Sequence, residues 1–305
     1  MGQLVIVQIV VTAAQDILFA VVTGTQLCDA LLKRKQEFGP SPSMGIGYLR
    51  LGSLCTLAFT CILSLWFEAA VISGLPFDKA GTVIRTVLTQ THFGVAWSVG
   101  FCGTLLACFG GTRNTHSVWW LVTVGMVAYL LSKAATSHAA DAGDFTARGV
   151  VHVVHLAATA LWAGGVIVGV PAVSCWGKST LDTPVRRATF YTRLSQLATV
   201  ALGLVIVTGI YDVTQDTQDL TAPLLSVPYG RIMTCKLAFV SLAILLGGYN
   251  RLTHLQYLRA TASDGGSAYR DAHRKFDRVL AIEAAVMVVI LTIAAVLGHT
   301  SPSGG

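Results

Sequence analysis

The chain has 305 residues, of which 53% are hydrophobic and 12% charged, and its mean hydropathy is +0.65. A soluble globular domain carries roughly a quarter of its residues charged, so the composition sets a soluble fold aside and places most of the chain in a bilayer. The net charge of +6 reflects basic loops beside anionic lipid and gives no reason to expect nucleic acid as a partner.

Windows of about 20 residues, the length that crosses a hydrocarbon core, predict eight apolar spans over about 3–30, 45–72, 83–109, 117–137, 150–174, 190–212, 229–249 and 277–299. The expected fold is an all-α polytopic membrane helix bundle with eight transmembrane helices, a single integral-membrane domain over 1–305. The first span opens almost at Met1, has no basic leader, and exceeds the ~7–15 apolar residues of a signal-peptide core. It reads as a retained helix. Basic residues accumulate on the cytoplasmic side of a membrane. Fifteen of the 21 Lys and Arg fall in one alternate set of connections, from Lys33 and Arg50 through Arg187 to Arg278. Both termini are therefore expected outside.

With that topology the polar residues sort by depth. Asp16 lies in the middle of span one beside Gln15, Glu68 near the outer end of span two, and His92 near the outer end of span three. Span four carries Met126 and ends outside at Lys133 and His138. Span five starts there with His152 and His155, and its i, i+3 spacing puts both imidazoles on one helical face that continues through Thr159 and Trp162. Met233, Cys235 and Lys236 stand near the outer start of span seven, Glu283 in the inner part of span eight, and His299 at its outer end. His116, His254 and His273 fall in cytoplasmic loops or helix ends, where a solvated histidine needs no special account.

Ionisable groups at membrane depth are costly and mark functional sites, and neutral imidazole is a ligand for copper, zinc, iron and nickel. The outer histidines are thus candidate metal ligands: His138 and His155 first, with His152, His92 or His299 completing the shell. Met233 and Cys235 would supply soft donors at a similar depth. An ion that crosses would meet Met126, Met287, Cys102, Asp16 and Glu283. Thr159, Trp162 and Lys236 would surround the ligands. Asp16 and Glu283 serve equally well as hydrogen-bonded locks between helices. The seven cysteines fall in or at the ends of spans, without CxxC spacing, so neither disulfides nor a thiolate relay is expected. No GxxxxGK[ST] stretch signals a nucleotide-driven pump.

Most of the second half resembles a known family. His138-Ala139-Ala140 and His155-Leu156-Ala157-Ala158 through Leu161-Trp162-Ala163-Gly164-Gly165 are similar to the outer-loop and fifth-helix motifs of the CopD family of bacterial copper-resistance membrane proteins. Tyr191-Thr192-Arg193-Leu194-Ser195 through Thr208-Gly209-Ile210-Tyr211 resembles the sixth helix. Pro228-Tyr229-Gly230-Arg231 with Lys236 resembles the start of the seventh, Asn250-Arg251 its end, and Glu283 fits the last helix. The resemblance covers roughly residues 135–298. It implies an eight-helix, multi-pass protein of the bacterial inner membrane that takes part in copper handling. It also implies copper as cargo, as Cu(I) or Cu(II), and a separate periplasmic copper carrier of the CopC type as partner, since no such domain is fused here. His138, His155 and Trp162 match the family pattern, whereas His152 and His299 are departures from it.

The leading reading is an inner-membrane protein that captures copper at a periplasmic-side histidine site and moves it across the membrane. A b-type haem membrane cytochrome is the main rival, with His92 and His155 or His138 and His299 as axial pairs. A copper-dependent membrane enzyme, or a factor that loads another metalloenzyme without a pore, would use the same outer site.

Overall fold

The computed structural model describes residues 2–33, 44–112, 119–137, 146–176, 183–216, 225 and 227–300. Among them there is no strand. The helices are α1 (Gly2–Lys33), α2 (Met44–Ser73), α3 (Ile84–Gln90), α4 (His92–Thr112), α5 (Trp119–Ala135), α6 (Ala147–Trp176), α7 (Pro184–Asp216), α8 (Pro228–Tyr249), α9 (Gln256–Ala260) and α10 (Ser267–Leu297). A short 3-10 turn (Ala80–Val83) precedes α3, and a π-helical turn (Asn250–Leu255) joins α8 to α9.

Seven of these helices are long and apolar enough to cross a membrane; the helix expected over 117–137 is shorter, a 17-residue apolar helix packed in the same bundle. The span expected at 83–109 is not one helix. It breaks at Thr91, whose backbone is extended, and α3 folds back onto the start of α4. Two residues cause the break. The Thr91 hydroxyl accepts the Gly94 N–H at 3.0 Å, an N-cap. Gly94 lies so close to α3 that a Cβ there would stand 2.1 Å from the Val87 carbonyl oxygen.

Elsewhere the starts and stops are local. Proline occupies the first position of α7 and α8, where its missing N–H costs no hydrogen bond. Gly74 ends α2 at φ +66°, and Gly265 turns the chain between α9 and α10 at φ +60°, a region open to glycine.

Burial is arranged as a bilayer requires. Large apolar side chains such as Phe59, Val207, Ile210 and Leu245 cover the outside, while Asp29, Arg50, Asn250 and Glu283 are among the polar residues inside. Helices α1 and α6 form the spine. One core joins them to α7, α8 and α10 around Trp162, Tyr191, Phe276 and Met287, and a second joins α2, α4 and α5 around Phe19, Leu57, Met126 and Tyr129. Helices α7 and α8 hardly touch one another; both lean on the rest of the bundle.

The spine depends on two glycines. A Cβ on Gly24 would lie 2.1 Å from the Gly164 carbonyl oxygen, and one on Gly164 would lie 2.0 Å from that of Ala20. Small residues of this kind let membrane helices approach backbone to backbone. Gly24→Leu is expected to cost at least the ~1–3 kcal/mol of an overpacked core, read as a lower thermal midpoint in detergent. Gly52→Ala, which would meet no atom within 4 Å, is expected to leave that midpoint in place.

Candidate functional site

Helices α6 and α7 bring a polar group together about two turns from the end of the bundle at which α1 begins. The helical rise of 1.5 Å places His155 of α6, Thr208 of α7 and Lys236 of α8 at one depth, each eight residues from the end of its helix. His155 Nδ1 lies 2.9 Å from Thr208 Oγ1, and His152 Nδ1 lies 3.5 Å from Asp212 Oδ2. The two imidazoles are stacked at 14° with centroids 6.5 Å apart. Lys236 adds a positive charge within electrostatic reach of His155. Gly209 makes the room: a Cβ there would lie 3.3 Å from His155 Cε1.

The hydrogen bonds fix which ring nitrogens remain available. Thr208 Oγ1 donates its single proton to the Leu204 carbonyl at 2.6 Å, so it accepts from His155 Nδ1–H. That leaves the lone pair of His155 on Nε2. The Asp212 carboxylate does the same for His152, accepting from Nδ1–H, so that the lone pair stands on Nε2. Orientation of an imidazole through its other nitrogen by a carboxylate or oxygen acceptor is the usual support of a metal-binding histidine. The rings stack rather than converge. Among the described residues no group of three or more His, Cys, Asp or Glu side chains encloses an ion.

The remaining candidates fall in several places. His138 lies outside the described residues, as does His116. His299 belongs to a different neighbourhood: its Nδ1–H donates to the Ala295 carbonyl at 2.9 Å, and it lies within electrostatic reach of Glu68, which accepts from Gln8 at 3.4 Å. His92 is exposed at the first turn of α4. The outer histidines therefore do not share one set of neighbours. Met233 lies half-buried one turn from Lys236 on the same face of α8, whereas Cys235 and Cys102 are exposed on the bundle surface.

Trp162 is 4% exposed and packs in the core, two turns deeper than His155 rather than beside it. Thr159, one turn below His155, has a buried Oγ1 with no partner. Met126 packs in the second core and Met287 in the first. Asp16 is ion-paired with Lys133 of α5, which makes it a lock between α1 and α5. Glu283 is 5% exposed and lies against Gly247 of α8.

Sequence reasoning missed three features. Thr208 and Asp212 are four apart on α7, a helical spacing that faces one side, and so could have been paired with His152 and His155. Asp29 and Arg50 form a buried ion pair at 2.7 Å between α1 and α2 near the opposite end. His273 is not a solvated loop residue. It sits half-buried on α10 with Nδ1 3.2 Å from Asp277, which also accepts from Tyr191 Oη at 2.8 Å. Its i, i+4 spacing from Asp277 was the available signal.

Residues 188–297 match the family model for copper resistance protein D, and residues 1–147 match the model for the copper resistance protein D-like N-terminal domain. The stretch between them holds His152, His155 and Trp162. No curated protein and no solved structure matches the chain.

Proposed function

Because the chain belongs to the copper resistance protein D family, a family of membrane proteins of copper resistance, we propose that it captures copper at the His152–His155 end of the bundle and passes it across the bacterial inner membrane. The observation that carries this reading is the pair of imidazoles whose Nδ1 atoms are held by Asp212 and Thr208, which puts the ring lone pairs on Nε2. His138, in the connection leading into α6, is the third ligand in this reading. A copper carrier outside the membrane is the proposed donor or acceptor.

This end faces the periplasm in the proposal, since the basic residues collect at the other end: Arg186, Arg187, Arg270, Arg274, Lys275 and Arg278 all stand near the first turns of α7 and α10. Imidazole accepts both copper oxidation states, and the half-buried Met233 would favour Cu(I).

Metal analysis with an optical spectrum on detergent-purified protein, before and after chelation and reloading, tests the reading. About one copper per chain without a Soret band, lost in a His138, His155 double variant, is the expected result. A Soret band at near-stoichiometric haem, or copper retained in full by the double variant, would remove the site. Copper flux into liposomes then separates passage across the membrane from capture alone.

A further inference from the structure

The π-helical turn at the end of α8 and the middle of α10 enclose a second polar group, at a depth where the copper site plays no part. Glu283 is 5% exposed and Asn250 is 3% exposed. A Cβ on Gly247 would lie 2.9 Å from Glu283 Oε1 and 3.5 Å from Oε2, so the carboxylate rests against bare α8 backbone that only glycine leaves open. Asn250 stands one turn further along the same face of α8, where the helix widens into the π turn. Such turns recur at functional sites. Asn250 Nδ2 donates to the Phe276 carbonyl of α10 at 3.3 Å, and its Oδ1 is buried with no partner.

The group is thus rich in acceptors and lacks a donor. Among the described residues no hydrogen-bond donor or cation meets the Glu283 carboxylate. Several charged groups on the surrounding helices are engaged elsewhere. Asp16 and Asp29 of α1 pair with Lys133 and Arg50. Lys236 of α8 belongs to the His155 group, and His152 and His155 of α6 are bound to α7. Arg251 turns to Thr199 and the Ser195 carbonyl of α7, and Asp277 of α10 holds His273 and Tyr191. An ionised carboxylate buried alone costs many kcal/mol. A hydrogen-bonded lock between α8 and α10 would need a donor on the other side.

We infer that Glu283 and Asn250 form an intramembrane site for a hard monovalent cation, a proton or Na+, lodged between α8 and α10. A single carboxylate carries one negative charge, so a monovalent ion neutralises it, while a divalent ion would leave a net positive charge in a medium of low dielectric. Oxygen donors do not select Cu(I), which prefers sulfur. Asn250 Oδ1 is the second oxygen ligand, or the acceptor for a proton held on Glu283. The site gives the protein a means of coupling to an ion gradient, and its existence does not depend on where copper binds.

The test compares wild-type protein with Glu283→Gln in detergent, by two readouts that use no copper. The first is the infrared carboxylic-acid C=O band at neutral pH; the second is the thermal midpoint in NaCl against choline chloride. A wild-type acid band missing from the variant identifies a proton. A rise in midpoint with Na+ that the variant loses identifies Na+. Wild-type protein with neither signal overturns the site. Gly247→Ala, which keeps the carboxyl but crowds it, is the second variant. It is expected to shift the acid band, or to raise the Na+ concentration needed by roughly tenfold; an unchanged signal would overturn the placement of the carboxyl against α8. The His138, His155 double variant keeps the two readings apart, because neither readout uses copper and both signals are expected to survive in it whether or not it still binds copper.

Discussion

Replacing His155 with alanine is expected to abolish copper binding or to weaken it beyond the roughly 10–100-fold that loss of an orienting partner costs. The ring is the better ordered of the two imidazoles: its bond to Thr208 is 2.9 Å, against 3.5 Å from His152 to Asp212. His152→Ala is expected to weaken binding less. Thr208→Val removes the acceptor that fixes the His155 tautomer while leaving the ligand in place, and is expected to fall in the 10–100-fold range itself. Competition for copper against a chromophoric chelator, on purified protein, measures all three.

His273→Ala is the control. Its ring lies at the other end of α10, held by Asp277, and its loss is expected to leave copper affinity unchanged. An equal loss from His273→Ala would overturn the arrangement of the helices on which the site rests.

Why the bundle could be read from the sequence, and much of the site could not, follows from what each depends on. The apolar spans are local, because a run of about 20 apolar residues has few alternatives to a membrane helix. The i, i+3 relation of His152 and His155 is equally local, and the structure keeps it. The break at Thr91 was only half legible: Thr91 is a local N-cap signal, but the fold-back depends on α3 finding bare backbone at Gly94 rather than on a proline or a charge run. Pairings across helices were hidden for the same reason. The i, i+4 spacing of Thr208 and Asp212 hints at a shared face but does not say that it meets His152 and His155, nothing in the order of residues joins Lys133 to Asp16, and Trp162 shares the histidine stripe yet turns into the core. His299 was grouped with the other outer histidines on depth alone. Depth does not decide which helices are neighbours, and α10 carries it within electrostatic reach of Glu68 on α2 instead.

Asp29→Ala is expected to destabilise the protein by about 3–5 kcal/mol, the cost of leaving a buried charge without its partner. The two side chains are 2% and 5% exposed, and Arg50 Nη1 lies 2.7 Å from Asp29 Oδ2. Arg50 Nε is already buried without a partner, so removing the carboxylate leaves the guanidinium with no compensation in the region where α1 meets α2. Desolvation, not the salt bridge as such, sets the size of the effect. The double variant Asp29→Ala, Arg50→Met is accordingly expected to recover most of the loss, because an apolar side chain of similar length asks for no partner. Thermal or denaturant unfolding in detergent reads both. A double variant as unstable as the single one would show that the pair contributes attraction rather than relief of a buried charge. Copper affinity in the folded fraction is expected to stay at the wild-type value in either case, since the pair stands near the far end of α1 from the imidazoles and touches none of the residues that orient them.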